Sequence, residues 1–195
     1  MSMGIIKVPL PVRLIVGILA ANTELASKAK QKLVERFGAV DLEMPPVPFD
    51  HTNYYENELG NSPIRSFLSF EDKIERETIA AIKLETNEME KIWNRAVNLD
   101  PGYMTLGQFF LATTKDQRHR VYLGQGIFAE VTLYFENGHF HPFDWTYPDY
   151  RSDSYIKFLE KARERFAYHI ATGHPYSQRI LVQTNGNNNP LKNSH

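Results

Sequence analysis

Residues 14–21, LIVGILAA, carry no polar side chain and are rich in β-branched residues. The run is too short to cross a bilayer and predicts a strand covered on both faces over residues 13–20. Asn22 or Thr23 can cap a following helix, in which Leu25, Ala29, Leu33 and Phe37 recur at helical spacing until Gly38 stops it. Residues 40–44 read as a second, weaker strand and residues 64–70 as a third. Ile79, Ile82, Thr86, Met89 and Trp93 mark the buried stripe of a second long helix, with Lys83, Asn87, Glu88 and Lys91 on its opposite face. A strand over residues 97–99 completes the order β-α-β-β-α-β. This is the ferredoxin-like arrangement, an antiparallel sheet with two helices on one face.

Beyond residue 100 the pattern shortens. Asp100-Pro101-Gly102 has the composition of a tight turn, with the glycine supplying an unusual φ. Residues 106–114 predict a short apolar helix. Residues 120–123 and 127–135 form a hairpin around Gly124-Gln125-Gly126, and Asn137-Gly138 marks a second hairpin turn. Alternation along the middle strand places Ile127, Ala129, Val131, Leu133 and Phe135 on one face. Phe128, Glu130, Thr132 and Tyr134 share the other, which puts a carboxylate on an otherwise aromatic face. After the loop FDWTYPDYRSD, Tyr155, Phe158, Leu159, Ala162, Phe166 and Ile170 line the buried side of a final helix. The chain therefore reads as one α+β domain over residues 12–171. Its ferredoxin-like core is extended by a short helix, antiparallel β-hairpins and a C-terminal helix, with residues 1–11 and 181–195 as flexible ends.

A length of 195 residues, 42% hydrophobic and 23% charged, suits one soluble domain with a sizeable core. The formal net charge of -1 tells against a general nucleic-acid binder. With no cysteine, disulfides, thiolate catalysis and Cys-ligated metals are excluded, and a reducing cytoplasm is the expected setting. Basic residues ahead of the first apolar run make a signal peptide the competing reading of the N-terminus; a buried first strand fits the pattern better. The connector PPVPFDHTNYYENELGNSP holds four prolines and two adjacent tyrosines. It is too Pro-rich for a central strand, and connectors of this length in compact domains usually have a role.

Several sharp motifs are missing. There is no Gly-x-x-x-x-Gly-Lys-Ser/Thr phosphate loop, no Gly-x-Gly-x-x-Gly after the first strand and no Gly-x-Ser-x-Gly elbow. The paired His-x-Thr/Ser of two-histidine phosphoesterases is not matched by His51-Thr52-Asn53 or His139-Phe140-His141. His139 and His141 share one side of a strand, with Asp144 nearby, but make no metal-ligand set of known spacing; an exposed hairpin end is the simpler reading. KDQRHR, residues 115–120, is the best anion-binding candidate. If the preceding helix runs through it, Lys115 and His119 share a face and Arg120 enters the strand beside Tyr122. Arg supplies a planar fork and Lys a point charge for a phosphate or carboxylate. A charged cap on a helix end explains the same residues equally well. WTYPDYR, residues 145–151, can wall a pocket with Trp145 and Tyr147 or simply hold the last helix on the sheet.

The phrases VPFDHTNYYENELG, IKLETNEMEKIW, VNLDPGYMTL, LATTKDQRHRVYLGQGIFAEVTL and WTYPDYR, in this order, resemble an uncharacterised bacterial family. It is a domain of unknown function of about this length, some of whose members carry an automated label of GTP-binding protein. The resemblance spans about residues 12–159 and implies no reaction or cofactor. The positions it marks include Asp50, Tyr54, Tyr55, Lys83, Asn87, Asp100, Tyr103, Lys115, Asp116, His119, Arg120, Tyr122, Glu130, Trp145, Tyr147, Asp149 and Tyr150.

The resulting expectation is a protein that binds, with or without acting on it, a small phosphorylated or anionic ligand such as a nucleotide. Lys115, His119 and Arg120 would hold the anion, with Tyr122 beside them. Glu130 or Asp100 would act as general base or Mg²⁺ ligand, and Tyr54, Trp145 and Tyr147 would close the pocket. On this reading Arg120→Ala removes binding and leaves the fold intact. The alternative is an interaction module, a homodimer built through a sheet face or edge, in which the same residues form internal ion pairs.

Overall fold

The structure, a computed structural model, describes residues 4–49 and 62–173. Its elements run β1 (Val12–Ala20), α1 (Thr23–Phe37), β2 (Val40–Pro48), β3 (Ile64–Ile74), α2 (Ile79–Glu90), β4 (Val97–Met104), β5 (Gln108–Thr113), β6 (Val121–Gly124), β7 (Ile127–Glu136), β8 (His139–Pro142) and α3 (Asp153–Thr172). The Asn22 side chain accepts the Leu25 amide and so caps α1, and Gly38 at φ 90° ends it.

The expected ferredoxin-like β-α-β-β-α-β core does not stand as a separate four-stranded sheet with helices on one face; its strands run on into a larger sheet that is covered on both sides. All eight strands join one open antiparallel sheet in the order β2-β3-β1-β4-β5-β7-β6, with β8 also on β7. Helices cover both faces. The even positions of β1 (Leu14, Val16, Ile18, Ala20) pack in one cluster with α1 and α2. On the opposite face Ile15 packs with Phe67, Phe109 and the α3 residues Tyr155, Phe158, Leu159 and Ala162. Every residue of β1 is buried, as its unbroken apolar pattern requires.

Three local expectations also change. Residues 106–114 are not a helix: β5 occupies them, because Phe109 and Leu111 alternate onto the α3 face and each pairs with a neighbour on both sides. Asp100-Pro101-Gly102 is not a turn but the middle of β4, and Gly102 lies outside the positive-φ set. Its glycine is required by closeness, since a Cβ there would meet the Phe110 carbonyl oxygen at 2.2 Å. Finally, the faces of β7 do not stay fixed. A bulge opposite Phe109 and Phe110 shifts the register, so Ile127 joins the α1/α2 cluster while Leu133 and Phe135 pack on the α3 side. The Asn137-Gly138 turn forms with both residues at positive φ, 50° and 89°.

The feature that makes a site is the junction of β4 with β5. β4 pairs with β1 along its whole length but with β5 only at Gly102, Tyr103 and Met104. Before Gly102 the two strands part. Pro101, with no N–H to offer, stands one residue before this ladder begins. Side chains from α2 replace the missing neighbour: Lys83 Nζ donates to the Leu99 carbonyl (2.7 Å) and the Leu99 amide donates to Glu90 Oε1 (2.7 Å). Seven residues apart, Lys83 and Glu90 lie on one face of the helix, so both reach the same strand residue. The sequence pattern places Lys83 on the solvent face; it is buried instead, paired with backbone.

Candidate functional site

A cavity of about 750 Å³ opens where β4 and β5 part. One wall is Asn98 and Asp100 of β4, the other Leu111 to Lys115 at the end of β5. Lys83, Asn87 and Glu90 of α2 close it from one side of the sheet, and Arg65, Asp149 and Tyr150 from the other. Lys91, Arg95 and Lys115 stand at its exposed margin.

Arg65 is the buried centre of the α3-side wall. It donates to Asp100 Oδ2 (2.7 Å) and the Tyr150 hydroxyl (3.1 Å), and lies 3.6 Å from Asp149. Gly17 makes room for it: a Cβ there would press on the Phe67 ring at 2.9 Å and on the guanidinium at 3.4 Å. Nε of Arg65 has no hydrogen-bond acceptor, and the guanidinium lies 5.1 Å and 5.6 Å from the Phe67 and Tyr150 ring centres, whose π-faces offset that loss. Burial opposes its charge, but Tyr150, Asp100 and Asp149 outweigh this and raise it above its ordinary value, so it stays protonated. Burial drives the Tyr150 hydroxyl well above the usual tyrosine range, which keeps it neutral.

The two carboxyls beside Leu99 are pushed in opposite directions. Burial alone would raise Asp100, yet Arg65 and Lys83 hold it below the ordinary carboxylate value. Its side chain is 28% exposed and lines the cavity. Burial raises Glu90, and Lys83 offsets this only in part. The linkage follows from the signs. A depressed folded-state value makes Asp100 stabilising above its unfolded value near 3.8, a contribution lost as pH falls through the lower folded value. A raised folded-state value makes Glu90 most favourable below 4.5, with stability lost as pH rises through the higher folded value. Thermal melts of Glu90→Gln against the natural protein should therefore show a gain at pH 7.5 that shrinks at pH 4.0. Asp100→Asn should show a loss only slightly smaller at pH 4.0 than at pH 7.5, because pH 4.0 lies at the upper edge of its window.

The expected anion-binding trio is arranged differently from the sequence reading. Residues 115–120 are a loop, not a helix end, and Lys115 and His119 share no helical face. Arg120 is not an open cation. Its Nε and Nη2 each reach Glu130 Oε2 at 2.8 Å, Nη1 donates to the Lys115 carbonyl, and its side chain is 2% exposed. His119 Nε2 meets the same Glu130 oxygen at 3.0 Å, and Thr132 donates to Oε1. Glu130 is thus fully engaged, its extra hydrogen bonds compensating its burial. His119 stacks on Trp145 at 5.2 Å between ring centres, and Trp145 on Phe143 at 4.6 Å, while the indole N–H donates to the Val131 carbonyl. Neither Trp145 nor His119 lines the cavity; both back the Glu130 cluster from outside it. Tyr122 is exposed on β6, its hydroxyl accepting the Gly126 amide, away from the site.

Asp100, Lys115, Arg120, Glu130 and Tyr147 do meet around the cavity. Tyr54 lies outside the described residues. WTYPDYR serves both expected roles: Tyr147, Pro148 and Asp149 wall the cavity, while Tyr150 packs edge-on against Phe67 and Tyr155. Arg65 and Glu90 were not anticipated. The signal for Arg65 was available, the one cation in the apolar stretch 64–70 that reads as the third strand. His139 instead pairs with Glu160 and His141 with the Glu136 carbonyl. Among the described residues no three His, Asp or Glu side chains gather as a metal site, and no helix is long and apolar enough to cross a membrane.

Fold and site together define an α+β domain with an open antiparallel sheet, helices on both faces and a charged cavity set into the sheet itself. The chain belongs to the family described as Domain of unknown function (DUF4416), whose model matches residues 10–166. No curated protein and no solved structure matches it.

Proposed function

We propose that the protein binds a small anionic ligand, bearing a phosphate or carboxylate, in the cavity between β4 and β5. The observation that carries this reading is the placing of Lys91, Arg95 and Lys115, from two separate chain segments, around one opening. The buried ions behind them are largely matched to one another: Arg65 with Asp100, Arg120 with Glu130, and Lys83 close to Glu90. A stable core does not need such groups, since apolar side chains of equal volume would fill the gap at less cost. The margin therefore supplies the net positive field, and the floor supplies orientation. Lys91 pairs with Glu88 on the surface, an exposed contact too weak to hold it from an incoming anion.

A thermal-shift screen with nucleotides, sugar phosphates and inorganic phosphate tests this. At ligand concentrations a hundredfold above Kd, stabilisation should reach about 2.7 kcal/mol. The double variant Lys91→Glu/Arg95→Glu should lose most of the shift while melting near the natural protein. A shift unchanged in that variant would remove the site from consideration.

One observation favours a second reading, association of two copies through the edge strand β6. Val121, Tyr122 and Leu123 are all exposed on that strand, with no charged residue among them. Native mass measured beside the screen separates the two readings.

A further inference from the structure

The basic margin addresses one end of a ligand, and the interior of the cavity addresses the other. We infer that the ligand is a hydroxylated anion, a sugar or polyol carrying phosphate or carboxylate, and that Asp100 accepts hydrogen bonds from its hydroxyl groups. This rests on the anion-binding reading above and specifies the ligand's body.

Size is the first argument. A cavity of about 750 Å³ is many times the roughly 30 Å³ share of one water molecule, so a bare inorganic anion would leave most of it empty. It lies within the roughly 300–1,000 Å³ typical of organic-ligand pockets. The second argument is the state of the carboxylates. Glu130 has both oxygens engaged, by His119 and Arg120 on one and Thr132 on the other. Glu90 serves the Leu99 amide. Asp100 differs: Arg65 occupies Oδ2 and the Asn98 side chain lies beside it, yet the carboxylate lines the cavity with 28% of its side chain exposed. The neighbouring cations keep it ionised. An apolar body pressed on this carboxylate would strip its water and return nothing, so the body must carry O–H or N–H donors.

Charge then separates hydroxyl from ammonium. The cavity walls hold six cations (Arg65, Lys83, Lys91, Arg95, Lys115, Arg120) against four carboxylates (Glu90, Asp100, Glu130, Asp149). A cationic body would meet that excess at short range, whereas neutral hydroxyls donate to Asp100 without opposing it. Leu19, Leu111 and the Tyr150 ring give the interior an apolar side that suits the C–H face of a sugar.

Calorimetric titration of the full chain with ribose 5-phosphate, n-pentyl phosphate and inorganic phosphate tests the inference. The first two share charge and carbon number and differ in hydroxyls. Ribose 5-phosphate should bind about ten- to a hundredfold tighter than pentyl phosphate, the range of hydrogen bonds to a charged acceptor. Asp100→Asn, which retains an acceptor for Arg65, should remove most of that preference, read as the ratio of the two affinities within the variant. Equal affinities in the natural protein, a comparison needing no variant, would overturn the inference and leave the anion site standing. So would a preference that survives in Asp100→Asn. If none of the three probes binds, the anion site and this inference fall together.

Discussion

Replacing Arg13 with alanine should lower the unfolding free energy by about 3–5 kcal/mol, the cost of leaving a buried charge without its partner. Arg13 sits in the central strand with 1% of its surface exposed. It pairs with Asp41 of β2, donates to the Ser69 hydroxyl (3.1 Å), meets His169 Nδ1 of α3 (3.0 Å) and lies over the Phe166 ring. Because guanidinium only donates, His169 must present Nδ1 as an acceptor and carry its proton on Nε2. Arg13 thus ties β1 to β2, β3 and the last turns of α3 at one point. Urea denaturation would measure the loss, and Arg13→Lys should recover only part of it, since an ammonium cannot serve a fork of three partners in one plane. A loss below about 1 kcal/mol would mean that Asp41 finds water when Arg13 leaves, and that this contact is not a buried one.

Arg120→Ala should cost about as much, roughly 3–5 kcal/mol, by abandoning Glu130 in the cavity wall. This reverses the sequence-based expectation that Arg120 could be removed without harm to the fold. The decisive measurement is a double-mutant cycle. Glu130→Gln together with Arg120→Met should be much less destabilising than the sum of the single changes, because neither partner remains as an unmatched ion. Additive losses would show that Arg120 and Glu130 act separately, despite sharing one oxygen at 2.8 Å.

The sequence carried the first hundred residues well wherever one periodicity ruled a segment. β1 is buried on both faces and reads so; α1 shows its stripe, its Asn22 cap and its Gly38 stop. What misled was composition standing in for environment. Asp-Pro-Gly signals a turn when its neighbours are unknown, yet here β1 pairs with all three residues and holds them extended. Gln108–Thr113 has too few residues to separate a helical from a strand repeat, and only pairing to β4 and β7 decides. The bulge in β7 is invisible in alternation because alternation presumes no extra residue. For the site, the marked positions Asp100, Glu130 and Tyr147 were legible as chemistry, but their partners were not. Which cation answers which carboxylate is set by strand order, and Arg65 reaches Asp100 only because Gly17 lies between them with no side chain.

The three-residue ladder joining β4 to β5 divides the sheet into two blocks held by very few rungs. In hydrogen exchange such a junction is a seam: amides on either side belong to separate cooperative units, and the seam sets how independently they open. The Leu99 amide is an exception within it, protected by a helix carboxyl instead of a strand, so its exchange reports on α2 rather than on the sheet. A ligand seated in the gap would touch both blocks at once and act as the rung the backbone omits. Occupancy would then be readable far from the cavity, as slower opening of β5 and β7.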